Sequence, residues 1–397
     1  MDLVEILNYS VAFFTIFTTV FFLLLFFTYR HKYYAGPEWS GWTPMVSVVI
    51  PAYNEGKTIE KCLDSLLALD YPKEMLEIIV VDDGSTDDTY EKVKKYEKKG
   101  VRVIRQKNAG KGAALNTGIG AASGKLVATM DADSCVTPDV IKELLPYFED
   151  DEGVMAVTPS VKIAPGGSVI KEFQRIEYLM ILFSRKLLSY IDAVPVTPGP
   201  FSMFRKKIFD EIGGFDEHNL VEDQEIALRI QENHYRIRSS VSDKATVYTD
   251  PPDNMKDLLL QRKRWQRGGV RNYWRYRGMI AREFGDFGLF FIPLNFATLG
   301  AFFIVFGLLL NAIFNVPYYA HYIPLESVKM SVNMFTVVGI FVLAASLVWL
   351  YMAVASFRTE RVKLRYLLFF VVFYWYMMMG ANLLMAAAEI RREKCSW

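Results

Sequence analysis

Leu76-Glu77-Ile78-Ile79-Val80-Val81-Asp82-Asp83-Gly84-Ser85-Thr86-Asp87-Asp88-Thr89 decides the fold. The apolar run Leu76–Val81 reads as a buried strand, and it stops at two carboxylates and a glycine turn. The same pattern recurs on either side. Val46–Ile50 ends in Pro51, which cannot donate a ladder hydrogen bond and is expected to end its strand. Val101–Arg105 follows, and Leu126–Met130 ends in Asp131. Helical patterns over Lys57–Leu69, Thr86–Lys99 and Gly112–Ala122 separate these runs. Nearly continuous apolar strands alternating with helices predict an α/β fold whose mostly parallel sheet is covered on both faces. Ligands of such sheets bind beyond the carboxyl ends of the strands. There the sequence gathers Tyr53-Asn54-Glu55, Asp82-Asp83-Gly84-Ser85 and Asp131-Ala132-Asp133.

Outward from this centre the chain turns apolar. Of its 397 residues 52% are hydrophobic, more than an ordinary soluble protein of this size carries. Val11–Tyr29 holds no charge and is long enough to cross about 30 Å of hydrocarbon as a helix. A signal peptide fits poorly, because Asp2 and Glu5 stand where a basic segment belongs. Phe287–Phe314, Val332–Phe357 and Tyr366–Ala388 are further apolar stretches, so four crossings are expected. Arg30, His31 and Lys32 after the first, and Arg358, Arg361, Lys363 and Arg365 before the last, put the centre on the cytosolic side by the positive-inside rule. Arg391, Arg392 and Lys394 would then lie outside, a strain that a re-entrant segment among the last three would relieve. The reading divides into an anchor over 1–38, a cytosolic domain over 39–285 and membrane or interfacial helices over 286–397.

A net charge of +1 gives no sign of a nucleic-acid partner, and the lysines of Lys92–Lys99 suit the solvated face of a helix. Three cysteines without paired spacing and four scattered histidines argue against disulfides and a zinc cage. A receptor or transporter would leave the central motifs unexplained.

Those motifs each have a chemical and a plain reading. Asp131 and Asp133, alternate carboxylates after a strand, suit Mg²⁺ or Mn²⁺, hard cations that prefer oxygen; a solvated turn is the plain alternative. Asp82 and Asp83 can accept hydrogen bonds from a base or ribose, while Ser85 or Thr86 would serve as a helix N-cap. Lys107-Asn108-Ala109-Gly110-Lys111-Gly112 offers backbone N–H groups at a helix start, suited to phosphate, and serves equally as a surface turn. Glu222 and Asp223 suit either a helix N-terminus or a general base. Gln261, Arg264 and Trp265 form QxxRW, whose i, i+3, i+4 spacing shares one helix face. The rival reading is a basic helix lying on the membrane through Arg262, Lys263 and Arg267.

From Val46 to Trp265 the chain resembles the inverting family 2 glycosyltransferases of the membrane-integrated kind, similar to cellulose, hyaluronan and poly-N-acetylglucosamine synthases. The resemblance implies a GT-A-like nucleotide-sugar-binding sheet flanked by transmembrane helices, in an integral protein of the cell membrane. It assigns Pro51, Tyr53, Asn54, Glu55, Asp82, Asp83, Lys111 and Asp131 to the nucleotide, and Asp131 and Asp133 to the metal. Asp223 matches the catalytic Asp of the family's Thr-Glu-Asp triplet, with Val221 in place of Thr and Glu222 beside it. Thr197 and Gly199 fall where the acceptor end sits, and Gln261, Arg264 and Trp265 cover the diphosphate. A UDP-sugar donor, first of all UDP-N-acetylglucosamine, and a growing polysaccharide follow from the resemblance. A lipid acceptor, either a glycolipid precursor or a polyprenyl phosphate, is the alternative, since QxxRW also occurs in lipid glucosyltransferases.

Overall fold

The computed structural model describes residues 3–320, 334–357 and 359–393; Asp2, Val332, Arg358, Lys394 and Cys395 lie outside the described residues. Helix α1 (Leu3–Tyr29) leads into β1 (Val46–Ala52), α2 (Ile59–Leu67), β2 (Leu76–Asp82), α3 (Thr89–Lys95), β3 (Val101–Arg105), α4 (Lys111–Ala121) and β4 (Leu126–Thr129). Strands β3, β2, β1 and β4 lie side by side and parallel, as their apolar runs require. After β5 (Cys135–Val136) and α5 (Val140–Asp150) come β6 (Val154–Thr158), β7 (Ser160–Lys162), α6 (Val169–Leu188), β8 (Ser202–Arg205) and α7 (Lys207–Ile212). Then follow α8 (Glu222–Glu232), β9 (Arg236–Ser239) and β10 (Thr246–Tyr248). Strand β8 runs antiparallel between β4 and β6, and β9 closes the seven-stranded sheet beside β6. A smaller sheet of β5, β10 and β7 stands apart.

Side chains of β1 alternate between the two faces. Val46, Val48 and Ile50 meet Ile59, Leu63 and Leu66 of α2 and Leu144 of α5 on one side. Val49, with Ile79 and Val81 of β2, meets Ala114 and Ile119 of α4 and Ile226 of α8 on the other. All are buried, a gain of about 1.5–3 kcal/mol for each valine, leucine or isoleucine.

Pro51 does not end its strand: β1 runs on to Ala52, with Pro51 opposite Val81. Met130 donates its N–H to the Val49 carbonyl, so residues 49 and 51 present their backbone groups to the β4 side. Strand β4 pairs with β1 only as far as Val49, so the missing N–H of Pro51 faces no strand. Nor do Ser85 and Thr86 cap α3. Asp87 accepts from the Thr89 N–H at 3.0 Å, while Ser85 Oγ accepts from Asn54 N.

The rest is helical: α9 (Met255–Arg275), α10 (Ile292–Ala320), α11 (Met334–Ala355) and α12 (Leu364–Ile390). Asn254 Oδ1 caps α9 by accepting from the Asp257 N–H. Among the described residues three helices are long and apolar enough to cross a membrane, at Tyr9–Tyr29, Phe287–Asn311 and Leu364–Ile390; Leu343–Ala355 of α11 is a shorter apolar stretch. Helix α6 lies beneath them. Its Phe183 packs on Phe26 of α1 and Trp349 of α11, and its Phe173 on Phe370 of α12.

Helix α12 is tied to the sheet-bearing unit at both ends. Just before it, Glu360 pairs with Arg175 of α6 and Lys162 of β7. At its far end Glu389 pairs with Arg267 and Arg271 of α9, and Glu393 with Lys263. With 27 residues it spans about 40 Å. Both ends of this membrane-length helix therefore meet the sheet-bearing unit through acidic residues.

Candidate active site

Beyond the carboxyl ends of β1, β2 and β4 opens a cavity of about 780 Å³, lined by Pro51, Tyr53, Glu55, Asp83, Lys111, Asp131, Asp133 and Arg264, among others. Two residues expected there serve the loops instead. Asn54, held at φ +57°, accepts at Oδ1 from the backbone N–H groups of Thr86 and Asp87 and so ties the β1 turn to the β2 turn. Asp82 is fully buried and paired with Arg105 at 3.1 Å.

Asp83 Oδ1 accepts from the Ala109 N–H and Oδ2 from the Gly110 N–H, at 3.0 and 2.8 Å. Those two amides, read from sequence as a phosphate contact, are thus taken by a carboxylate of the neighbouring strand. Gly84 makes this possible, since its φ of +75° and the 2.8 Å from an added Cβ to Asn108 N leave no room for a side chain. Lys111, at the first turn of α4, remains the cation of this edge. Its ammonium lies 2.8 Å from both Asp131 and Glu222. Burial opposes its charge, but the carboxylates of Asp131, Glu222 and Asp223 outweigh burial and hold its pKa above the ordinary lysine value.

Asp131 and Asp133 face the same space as Glu55. Burial, then the charge of Asp131, pushes the Asp133 carboxyl up to about 7, with Glu55 adding to the rise. Among the described residues no three carboxylate, histidine or cysteine side chains converge as a ready metal cage. A pair of carboxylates whose charges repel fits a hard divalent ion that takes its remaining oxygens from a bound diphosphate and water.

A second cavity, of about 220 Å³, lies behind the loop Thr197–Pro200. Asp223 and Trp265 line it, with Pro198, Pro200, Tyr178 and Arg185. Gly199 divides the two spaces. Its N–H faces Asp223 Oδ2 at 3.4 Å, and an added Cβ would lie 2.8 Å from both Asp131 Oδ2 and Lys111 Nζ. Thr197 is buried and donates its hydroxyl to the Asp223 carbonyl, bracing the start of α8. Burial, then Glu222, raises the Asp223 carboxyl to about 6 against the pull of Lys111 and Arg264. Glu222 lines neither cavity and stands as the partner of Lys111.

The QxxRW helix is α9. Arg264 lines the first cavity and Trp265 the second, while Gln261 lines neither. The cations between them do not lie on a membrane face. Arg262 is 2% exposed, ion-paired with Glu177 of α6, and its guanidinium sits 4.1 Å from the centre of the Trp265 ring. Lys263 and Arg267 face the acidic end of α12 described above. Acidic residues on α6 and α12 meet each cation, so the basic face is a packing face. Sequence reasoning missed Tyr178 and Arg185. Their i, i+7 spacing on a helix whose apolar face is otherwise continuous was the available signal.

The profile "Glycosyl transferase family 2" matches residues 47–213. The poly-beta-1,6-N-acetyl-D-glucosamine synthase of Staphylococcus aureus (strain COL) is 32% identical over 227 residues, 56% of this chain and 54% of that protein. Its counterpart from Staphylococcus epidermidis is 30% identical over 236 residues, 58% of this chain and 56% of that protein. The chain thus spans about half the length of the curated relatives it matches. A mannosyltransferase from Pyrobaculum calidifontis, solved in complex with GDP-Man and Mn²⁺, shares the fold with a TM-score of 0.64 at 19% identity, covering 98% of this chain and 100% of that one.

Proposed function

We infer that this chain, which carries a family 2 glycosyltransferase domain at residues 47–213, moves a sugar from a UDP-sugar onto an acceptor hydroxyl with inversion and with a divalent metal. One observation carries the reading: the Gly199 backbone stands between a carboxylate-and-cation cavity at Asp131 and a buried carboxylate, Asp223, that faces a second cavity. Donor and acceptor can then approach from opposite sides. Asp223 takes the proton of the acceptor hydroxyl, whose oxygen bonds to the anomeric carbon as the bond from that carbon to the diphosphate oxygen breaks. Glu222, neutralised by Lys111, is no nucleophile, and this favours one displacement over two. Lys111 and Arg264 bring positive charge to the departing diphosphate. Mg²⁺ or Mn²⁺ held by Asp131 and Asp133 would neutralise the same charge.

UDP-N-acetylglucosamine as donor and a growing polysaccharide as acceptor draw their support from the similarity to the poly-beta-1,6-N-acetyl-D-glucosamine synthases. A lipid acceptor is the second reading. It is favoured by the apolar walls of the second cavity, Val161, Ile181, Leu182 and Val196, of which Ile181 and Leu182 belong to α6, the helix that packs on α1 and α12. Either acceptor fits an integral protein of the cell membrane whose transfer site faces the cytosol.

The test is to supply the purified full chain with radiolabelled UDP- and GDP-sugars and Mn²⁺. UDP-N-acetylglucosamine should be consumed, and product size separates a polymer from a glycolipid; consumption of GDP-sugars alone would overturn the donor assignment. EDTA should stop transfer. Asp131→Asn and Asp133→Asn should each reduce it to background while the unfolding midpoint stays at the wild-type value. Full turnover in EDTA, or by the Asp133→Asn variant, would remove the metal from the reading.

A further inference from the structure

The second cavity holds an unusual charge. Arg185, on α6, is 8% exposed, and its Nη1 is fully enclosed without a hydrogen-bond partner. Among the described residues it forms no ion pair. The cavity that it lines is walled by Val161, Ile181, Leu182 and Val196, with Tyr178, Asp223 and Gln224 as its polar groups. Burial draws its pKa down to about 10, against the weaker pull of Asp223. Asp223 does not neutralise it, because that carboxylate answers to Lys111 and Arg264 on its other side. Elsewhere on α6 the buried cations have partners of some kind: Arg175 pairs with Glu172 and Glu360, and Lys186, which forms no ion pair among the described residues, donates to the Ser239 carbonyl. An enclosed cation without a partner is unfavourable, and a bound anion would remove that cost.

The walls narrow the choice of anion. A neutral glycan needs a dense set of donors and acceptors, whereas this cavity offers a few polar groups among mostly apolar side chains. It lies between α6 and the Trp265 turn of α9, and α6 packs directly on α1, α11 and α12. An amphiphile entering from the hydrocarbon would meet the apolar wall with its tail and Arg185 with its head.

We propose that Arg185 is the specificity-determining residue of the acceptor site and binds the phosphate of a lipid-phosphate acceptor whose hydrocarbon lies on the aliphatic wall. This rests on the second cavity's being the acceptor site. Arg185 binds and orients the phosphate, while a hydroxyl carried elsewhere on the same amphiphile gives its proton to Asp223 as its oxygen bonds to the anomeric carbon and the bond from that carbon to the diphosphate breaks.

Geranyl phosphate, geraniol and a neutral N-acetylglucosamine trisaccharide serve as soluble probes. Their binding to the full chain in detergent is measured by thermophoresis, with UDP titrated in parallel. Geranyl phosphate should bind at least about tenfold tighter than geraniol, as one charge-assisted contact requires. Arg185→Gln should erase that preference, and Arg185→Lys should keep part of it. Without ligand, Arg185→Gln should also raise the unfolding midpoint, because the unmatched charge is gone. UDP affinity should stay the same in all three proteins, since Arg185 does not line the first cavity; loss of UDP binding by the wild type would count against the donor site and leave this proposal standing. Equal affinity for geraniol and geranyl phosphate, a preference that survives Arg185→Gln, or tight trisaccharide binding indifferent to Arg185 would each overturn it.

Discussion

Asp223→Asn is expected to leave UDP binding intact and to lower turnover by about two to four powers of ten, the usual worth of a general base. The substitution keeps the shape of the side chain, so Thr197 still donates to the backbone carbonyl of residue 223 and the Thr197–Pro200 loop stays braced. What disappears is the proton acceptor facing the second cavity. The pH profile supplies a second signature. Burial and Glu222 hold the Asp223 carboxyl at about 6, above the ordinary aspartate value, and the base works only when ionised. Turnover should therefore be level above about pH 6 and fall about tenfold per unit below it, and the Asn variant should lack that limb. Near-normal kcat in the variant would move the base elsewhere, with Glu222 the next to test.

Arg262→Ala is expected to cost about 3–5 kcal/mol of stability, because it strands the Glu177 carboxylate in a buried place. Read as a membrane cation, Arg262 should on substitution alter only membrane association. The structure reverses that expectation. Its side chain spans Glu177 and the Trp265 ring and donates to Gln261 Oε1, so it fixes the outer members of the QxxRW motif. Thermal unfolding in detergent checks the magnitude. Arg264→Ala is the contrast: it should weaken UDP binding at the first cavity with a far smaller shift in midpoint. Wild-type unfolding by the Arg262→Ala protein would refute the buried-pair account.

The sheet was legible because strands β1 to β4 are apolar runs that stop at polar turns, and each stop marks the edge where ligands gather. Pro51 misled because its cost depends on which neighbour its missing N–H would face, and a single strand does not reveal that. Strands β5, β7 and β10 are two or three residues long and carry no period at all. Glu55, Asp83, Lys111, Asp131 and Asp133 meet in one cavity as their positions predicted. Asn54 and Asp82 share the same turns yet point into the loops, a choice made by Thr86, Asp87 and Arg105 from other segments. Arg185 stayed hidden for a different reason. Helix α6 is covered on both sides, by membrane-length helices and by the cavity wall, so its charges look like interruptions of a core helix.

The ion pairs that join α9 to the end of α12 bear on how the chain can be shortened. A fragment stopped after residue 285 would lack Glu389 and Glu393, the partners of Arg267, Arg271 and Lys263, and would strip the cover from Leu258. The motif helix would then carry a bare basic stripe beside a bare greasy one, ready to settle on any vesicle or column resin it met. Stickiness measured on such a truncated preparation would belong to the cut and not to the intact chain.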